Sequence, residues 1–139
     1  MLIGATGHEL VDHTSEITLR LRAPTFADLI AEATRAFAEL VPASMREHVT
    51  DERREFQVGG VDRAATLVEW LNEVVYLCEV DRWLPVELEV IAENAAGLRI
   101  RSKGVVLAEP FVLVKAATLH HASVTEGPQG LVGEVTLDV

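Results

Sequence analysis

Two short stretches of this chain collect oxygen ligands: DHTSE, Asp12 to Glu16, and the closing LDV, Leu137 to Val139. Carboxylate oxygens prefer hard cations, so Asp138, a terminal carboxylate at Val139 and one further acid can hold Ca²⁺ or Mg²⁺, with waters completing the shell. The further acid comes from the first stretch. Asp12 and Glu16 share strand parity, and along a straight segment they stand about 13 Å apart at ~3.3 Å per residue, so one ion uses only one of them. Residue chemistry leaves that choice open, beside the ordinary fate of Asp and Glu as solvated surface acids.

Histidines offer a second chemistry. His13, His120 and His121, together with Asp12 or Glu16, have the donors for a zinc site or for general-base hydrolysis. On a regular strand, adjacent His120 and His121 project to opposite faces, so at most one serves a given site. Neither a HExxH run nor a nucleophile elbow accompanies them. Trp70, Tyr76 and Trp83 are candidate partner contacts, although core packing suits the first two better. Glu69, Asn72 and Glu73 fall on the solvated flank of their helix.

The elements that position these residues are legible from periodicity. EITLRLRA, from Glu16, alternates Ile17, Leu19 and Leu21 with Thr18, Arg20 and Arg22, a half-buried strand. PTFADLIAEATRAFAELVP then changes to helical spacing, with Thr25 as N-cap, Asp28 three residues on, and Pro42 as the stop. EFQVGG is a short strand, and Asp62 caps a second helix, RAATLVEWLNEVVYLCEV, striped by Leu67, Leu71, Val74, Val75 and Cys78. Pro85 prevents its continuation.

Beyond Pro85 the pattern is all strand. VELEVIAENAAGLRIRSKG is a hairpin whose outer faces oppose acids to Arg99 and Arg101. Two last strands meet at EGPQG. A hairpin centred on Pro128 and Gln129 pairs Asp138 with Leu119 and Val139 with Thr118, bringing His120 close to Asp138. Long antiparallel runs after the second helix predict an α+β fold, largely antiparallel sheets with two main helices packed on them, as one domain over residues 1–139.

Composition narrows the function classes. With 139 residues, 49% hydrophobic and 24% charged, the chain has a globular balance and needs no covalent staple. Its formal charge of −10 opposes any phosphate backbone, so direct nucleic-acid binding is not expected. The single cysteine, Cys78, forms no internal disulfide, no secretory signal opens the chain, and no apolar run reaches membrane-spanning length. A cytoplasmic protein without membrane attachment is the expectation.

Several ordered motifs carry a resemblance. HELVDHTSEITLRLRAPTFADLIAEATRAF resembles the opening of the archease family, with its Tyr/His-Glu-x-x-Asp-His-Thr-Ala-Asp pattern followed by a strand and a capped helix. LVEWLNEVVYL, VKAATLHH and LDV resemble further family segments in the same order. Here Glu16 stands at the family's usual Asp, Ser15 at its Ala, and Leu119 where Tyr is common.

The resemblance implies a non-catalytic accessory protein that activates an RtcB-type RNA ligase, promoting its GTP-dependent guanylylation and multiple turnover in tRNA splicing or RNA repair. It further implies a divalent cation, calcium by preference, with magnesium or manganese as substitutes, held by Glu16, Asp138 and the carboxylate of Val139. Asp12, His13 and His120 become supporting or partner-contacting neighbours. The alternative is a metal-dependent phosphoester hydrolase using the same acids with His120 as base.

Overall fold

The computed structural model describes residues 6–13 and 15–139, with Asp12 and His13 as main chain only. A hairpin of β1 (Gly7–His13) and β2 (Glu16–Ala23) leads into α1 (Phe26–Ala38), a short 3₁₀ turn (Ala43–Met45) and β3 (Arg46–Val58). α2 (Arg63–Tyr76) runs on into a π turn (Leu77–Asp81), followed by β4 (Trp83–Asn94), β5 (Gly97–Leu107), β6 (Ala116–Gly127) and β7 (Gly130–Asp138). The strands form two antiparallel sheets, ordered β1-β2-β7-β6 and β3-β5-β4. The fold is α+β, as the element order predicts.

Each helix starts where its cap residue stands. Thr25 Oγ1 accepts from Asp28 N at 3.1 Å and Asp62 Oδ1 from Ala65 N at 2.8 Å, satisfying amides that the first turn leaves without helical partners. α1 touches β2 of one sheet and β4 of the other, and α2 touches β6 and β3, so both helices lie between the sheets. This placement explains why α1 is buried on nearly every side, Phe26, Leu29, Ile30, Ala33 and Phe37 included. Trp70 of α2 sits at the centre, its ring 5.4 Å from Phe56 and its indole N–H donating to Thr34 Oγ1 at 2.9 Å. Thr34 in turn donates to Ile30 O at 2.8 Å, so this buried polar relay is closed.

The β4–β5 hairpin forms where ENAAG predicts a turn, with Glu89 opposite Arg101 and Glu87 opposite Lys103. Its closing Gly97 has φ +119, and a Cβ there would stand 2.0 Å from Val58 O, so only glycine suits the position.

Four expectations change. β1 is a strand that the sequence reading did not assign, and β3 extends well upstream of EFQVGG. Tyr76, expected in the core, is 53% exposed, although its neighbours Val75 and Leu77 are buried. Trp83, a candidate partner contact, is instead buried beneath the Arg54 guanidinium, which stacks 4.5 Å above its ring.

β1 is an edge strand, and a polar clamp ties it to α1. His8 Nδ1 lies 2.5 Å from Glu32 Oε2 and its Nε2 lies 2.7 Å from Glu39 Oε1. Arg35 Nη2 donates to the other Glu32 oxygen at 2.7 Å. Burial pulls the His8 pKa down, but the bonds and charges of Glu32 and Glu39 outweigh it, and the net shift is upward. Burial pushes Glu32 up, and the bonds and charges of His8 and Arg35 prevail, so its carboxyl lies below the usual range. Cys78 is buried, which pushes its thiol up to about 12 and leaves it inert as a nucleophile at neutral pH.

Candidate metal centre

Sheet pairing brings the chain's two acidic stretches together. β2 and β7 run antiparallel with Glu16 directly opposite Asp138, then Ile17 opposite Leu137, Thr18 opposite Thr136 and Leu19 opposite Val135. Leu19, Leu137 and Val135 are fully buried against the helices, so the alternate positions Glu16, Thr18, Asp138 and Thr136 occupy the outer face. Val139 N donates to Ser15 O at 3.2 Å, which makes the residues one step inward, Glu16 and Asp138, a non-hydrogen-bonded pair. In such pairs the Cα atoms approach to about 4.5 Å and the side chains stand closest.

Like charges directly opposite each other destabilise a sheet unless something neutralises them. Two rows further along the same face, neutralisation is built in: Arg20, opposite Glu134, reaches it at 3.6 Å and reaches Glu9 of β1 at 3.8 Å. Around Glu16 and Asp138 the described residues supply no such cation, since neither carboxylate takes part in an ion pair with them. The third strand adds Ala116 opposite Asp138, again without charge. Lys115 contributes its main-chain N–H to Asp138 O at 2.8 Å, which fixes the backbone beside the site.

The donor set is therefore two opposed carboxylates at the end of a strand pair, next to the main-chain oxygens of Val139. Oxygen-only donors of this kind suit hard cations such as Ca²⁺. Among the described residues, no three His, Cys, Asp or Glu side chains gather at metal-ligating distances. Main-chain oxygen and water can add to these two carboxylates in the shell of an ion at this place.

Asp12 and His13 follow a different course from a straight segment. The chain reverses between β1 and β2, and the register opposes Asp12 to Ile17 and His13 to Glu16. Their side chains, and Thr14, lie outside the described residues. β2–β7 pairing sets Glu16 directly beside Asp138.

His120 departs from expectation most. Asp138 pairs with Ala116 rather than Leu119, and Thr136 pairs with Thr118. The register then jumps to Ser123 opposite Glu134, so the four residues from Leu119 to Ala122 stand against Val135 alone. This wide bulge moves His120 away from the Asp138 row and removes its expected place as a base beside the acids. It also holds His121 at φ +61, a left-handed conformation that costs a non-glycine residue roughly 1 kcal/mol. The two rings consequently do not point to opposite faces; they lie with centroids 3.8 Å apart, and both residues are exposed.

Sequence reasoning also passed over Asn72. It is on the exposed flank of α2 as expected, yet it donates to Ala117 O at 3.0 Å and accepts from Ala117 N at 2.8 Å, mimicking a neighbouring strand for edge strand β6. That pairing secures the stretch of β6 beside Asp138. An asparagine in a polar helix flank carries no signal for such a role until the strand it faces is known.

Comparison with known proteins agrees with this architecture. Residues 8–139 match the model of the Archease protein family (MTH1598/TM1083). Similar chains include protein archease of Methanopyrus kandleri, 29% identical with 94% of this chain and 98% of that one aligned. Protein archease of Archaeoglobus fulgidus is 28% identical, with 95% and 98% covered. The solution structure of Methanobacterium thermoautotrophicum protein 1598 superposes with a TM-score of 0.69 at 21% identity, over 96% of this chain and 99% of that one, a likeness of fold. With the family model matched over nearly its whole length, this chain belongs to the archease family.

Proposed function

We propose that this chain is a non-catalytic accessory protein of an RtcB-type RNA ligase, promoting the ligase's GTP-dependent guanylylation and multiple turnover in tRNA splicing or RNA repair. A divalent cation, calcium by preference, is held by Glu16, Asp138 and the main-chain oxygens of Val139. Membership of the archease family supports the accessory role. The observation that carries the site is the direct opposition of Glu16 and Asp138 across β2 and β7, with no basic partner among the described residues.

The chain's own residues contribute position and field. β2 and β7 fix the two carboxylates on the outer face, and the uncharged Thr18–Thr136–Thr118 row separates them from the Arg20–Glu134 pair. A bound cation supplies positive charge where a nucleotide phosphate must be neutralised. The formal charge of −10 draws the molecule toward a basic nucleotide cleft in a partner and away from free RNA. No helix among the described residues is long and apolar enough to cross a membrane. The hydrolase alternative loses its base, since the β6 bulge carries His120 off the Asp138 row.

Removal of the metal tests the proposal. Guanylylation of the ligase, loaded with its own metal and desalted beforehand, is measured with GTP, with this protein either calcium-loaded or stripped by a calcium-selective chelator and desalted. Stimulation is expected to fall at least tenfold on stripping and to return with added calcium. Equal stimulation by loaded and stripped protein rules out the metal-tip mechanism.

A further inference from the structure

The paired histidines of β6 are not used by the cation site, and the fold goes out of its way to create them. A regular strand would send His120 and His121 to opposite faces; the four-against-one bulge opposite Val135 and the left-handed backbone at His121 together place the rings side by side. Backbone strain at a non-glycine residue persists where the surroundings impose it, and it concentrates at functional sites. Here its product is two exposed imidazoles with centroids 3.8 Å apart.

We propose that His120 and His121 form a second metal site, a bis-imidazole site for a borderline divalent cation, zinc in the first instance. Neutral imidazole nitrogen is a preferred donor for Zn²⁺, with Zn–N distances of about 2.0–2.1 Å, and two rings this close reach a single ion after small side-chain rotations. Water or a donor from a partner fills the remaining positions, because Glu134 beyond the bulge is engaged by Arg20. An anion is the poorer occupant, since the chain's formal charge of −10 repels phosphate and attracts cations. The two sites are chemically distinct. Opposed carboxylates select hard calcium, and paired imidazoles select zinc, so each can be loaded without the other.

Zinc chloride titrated into the full chain, followed by calorimetry and by the imidazole proton signals, tests the assignment. Asparagine adopts the left-handed conformation more readily than most residues, so His121→Asn keeps the bulge while removing the ring. Zinc affinity is expected to fall at least tenfold in His121→Asn and in His120→Asn, with calcium binding unchanged in both. Zinc affinity at the histidines is expected to be retained in Asp138→Ala, with both imidazoles shifting on titration. Zinc affinity within twofold of wild type in the two histidine variants overturns the proposal, as does loss of all zinc binding in Asp138→Ala. Loss of calcium binding by Asp138→Ala with zinc retained leaves the histidine site standing whatever becomes of the ligase reading.

Discussion

Glu32→Ala is expected to lower unfolding stability by about 2 kcal/mol at pH 6, the cost of removing the buried member of a hydrogen-bonded charge cluster. The Glu32 side chain is only 6% exposed and bonds His8 from β1 as well as Arg35 of its own helix. Its loss leaves His8 with Glu39 alone, on a side chain that is 55% exposed, and unpins the edge strand that leads to the Asp12–Glu16 reversal. The pH dependence follows from two opposite shifts. His8 is raised above 6.5, so its contribution is complete below that pH and is lost as pH rises through the folded-state value. Glu32 is depressed below 4.5, so its contribution is complete above that pH and is lost as pH falls through its folded-state value. Wild-type stability from this clamp therefore peaks between about pH 4.5 and 6.5. Urea midpoints measured across pH 3 to 9 should show that maximum flattened in Glu32→Ala. An unchanged fall in stability above pH 6.5 in the variant would show that His8 does not report on Glu32.

A larger functional effect is expected from Asp138→Ala. Asp138 is exposed, and the structural role of its residue is main-chain: its carbonyl accepts from Lys115 N, and its neighbour's amide donates to Ser15 O. Alanine keeps both bonds, so stability should change by no more than about 0.5 kcal/mol, as for other surface substitutions. The carboxylate, in contrast, is one of two acids that face each other across the strand pair. Stimulation of ligase turnover is expected to fall to a tenth of wild type or below, with the melting temperature preserved. Undiminished stimulation by a folded Asp138→Ala protein would separate accessory activity from this centre.

Much of the fold is legible in the sequence because local signals and tertiary packing agree. Thr25 and Asp62 mark helix starts, Gly97 and the Pro128–Gln129 pair mark turns, and Leu19 and Leu21 alternate with Arg20 and Arg22 in both sequence and burial. β1 escaped because an edge strand with His8, Glu9, Asp12 and His13 mixes polarity on both faces and shows no period of two. The meeting of Glu16 with Asp138 is a fact of sheet order, since β7 inserts between β2 and β6, and no local pattern encodes it.

The β6 register was hidden for a different reason. A left-handed residue is ordinarily announced by glycine, asparagine or aspartate, and at this bulge it is His121. A hairpin counted back from the EGPQG turn is correct only as far as Ser123, and every partner beyond it shifts by the residues the bulge absorbs. His120 was displaced from the acids by that count alone. The buried position of Trp83 and the exposure of Tyr76 likewise depend on where the second sheet crosses the helices, which residue type does not reveal.

Calcium titration by calorimetry, on wild type and on Glu16→Gln, tests the central claim most directly, because glutamine keeps the length of the arm and removes only its charge. One calcium per chain is expected for wild type, with affinity reduced at least tenfold in Glu16→Gln. Absence of calcium binding by the wild type, or equal affinity in the two proteins, would contradict the assignment of the β2–β7 pair as a cation centre.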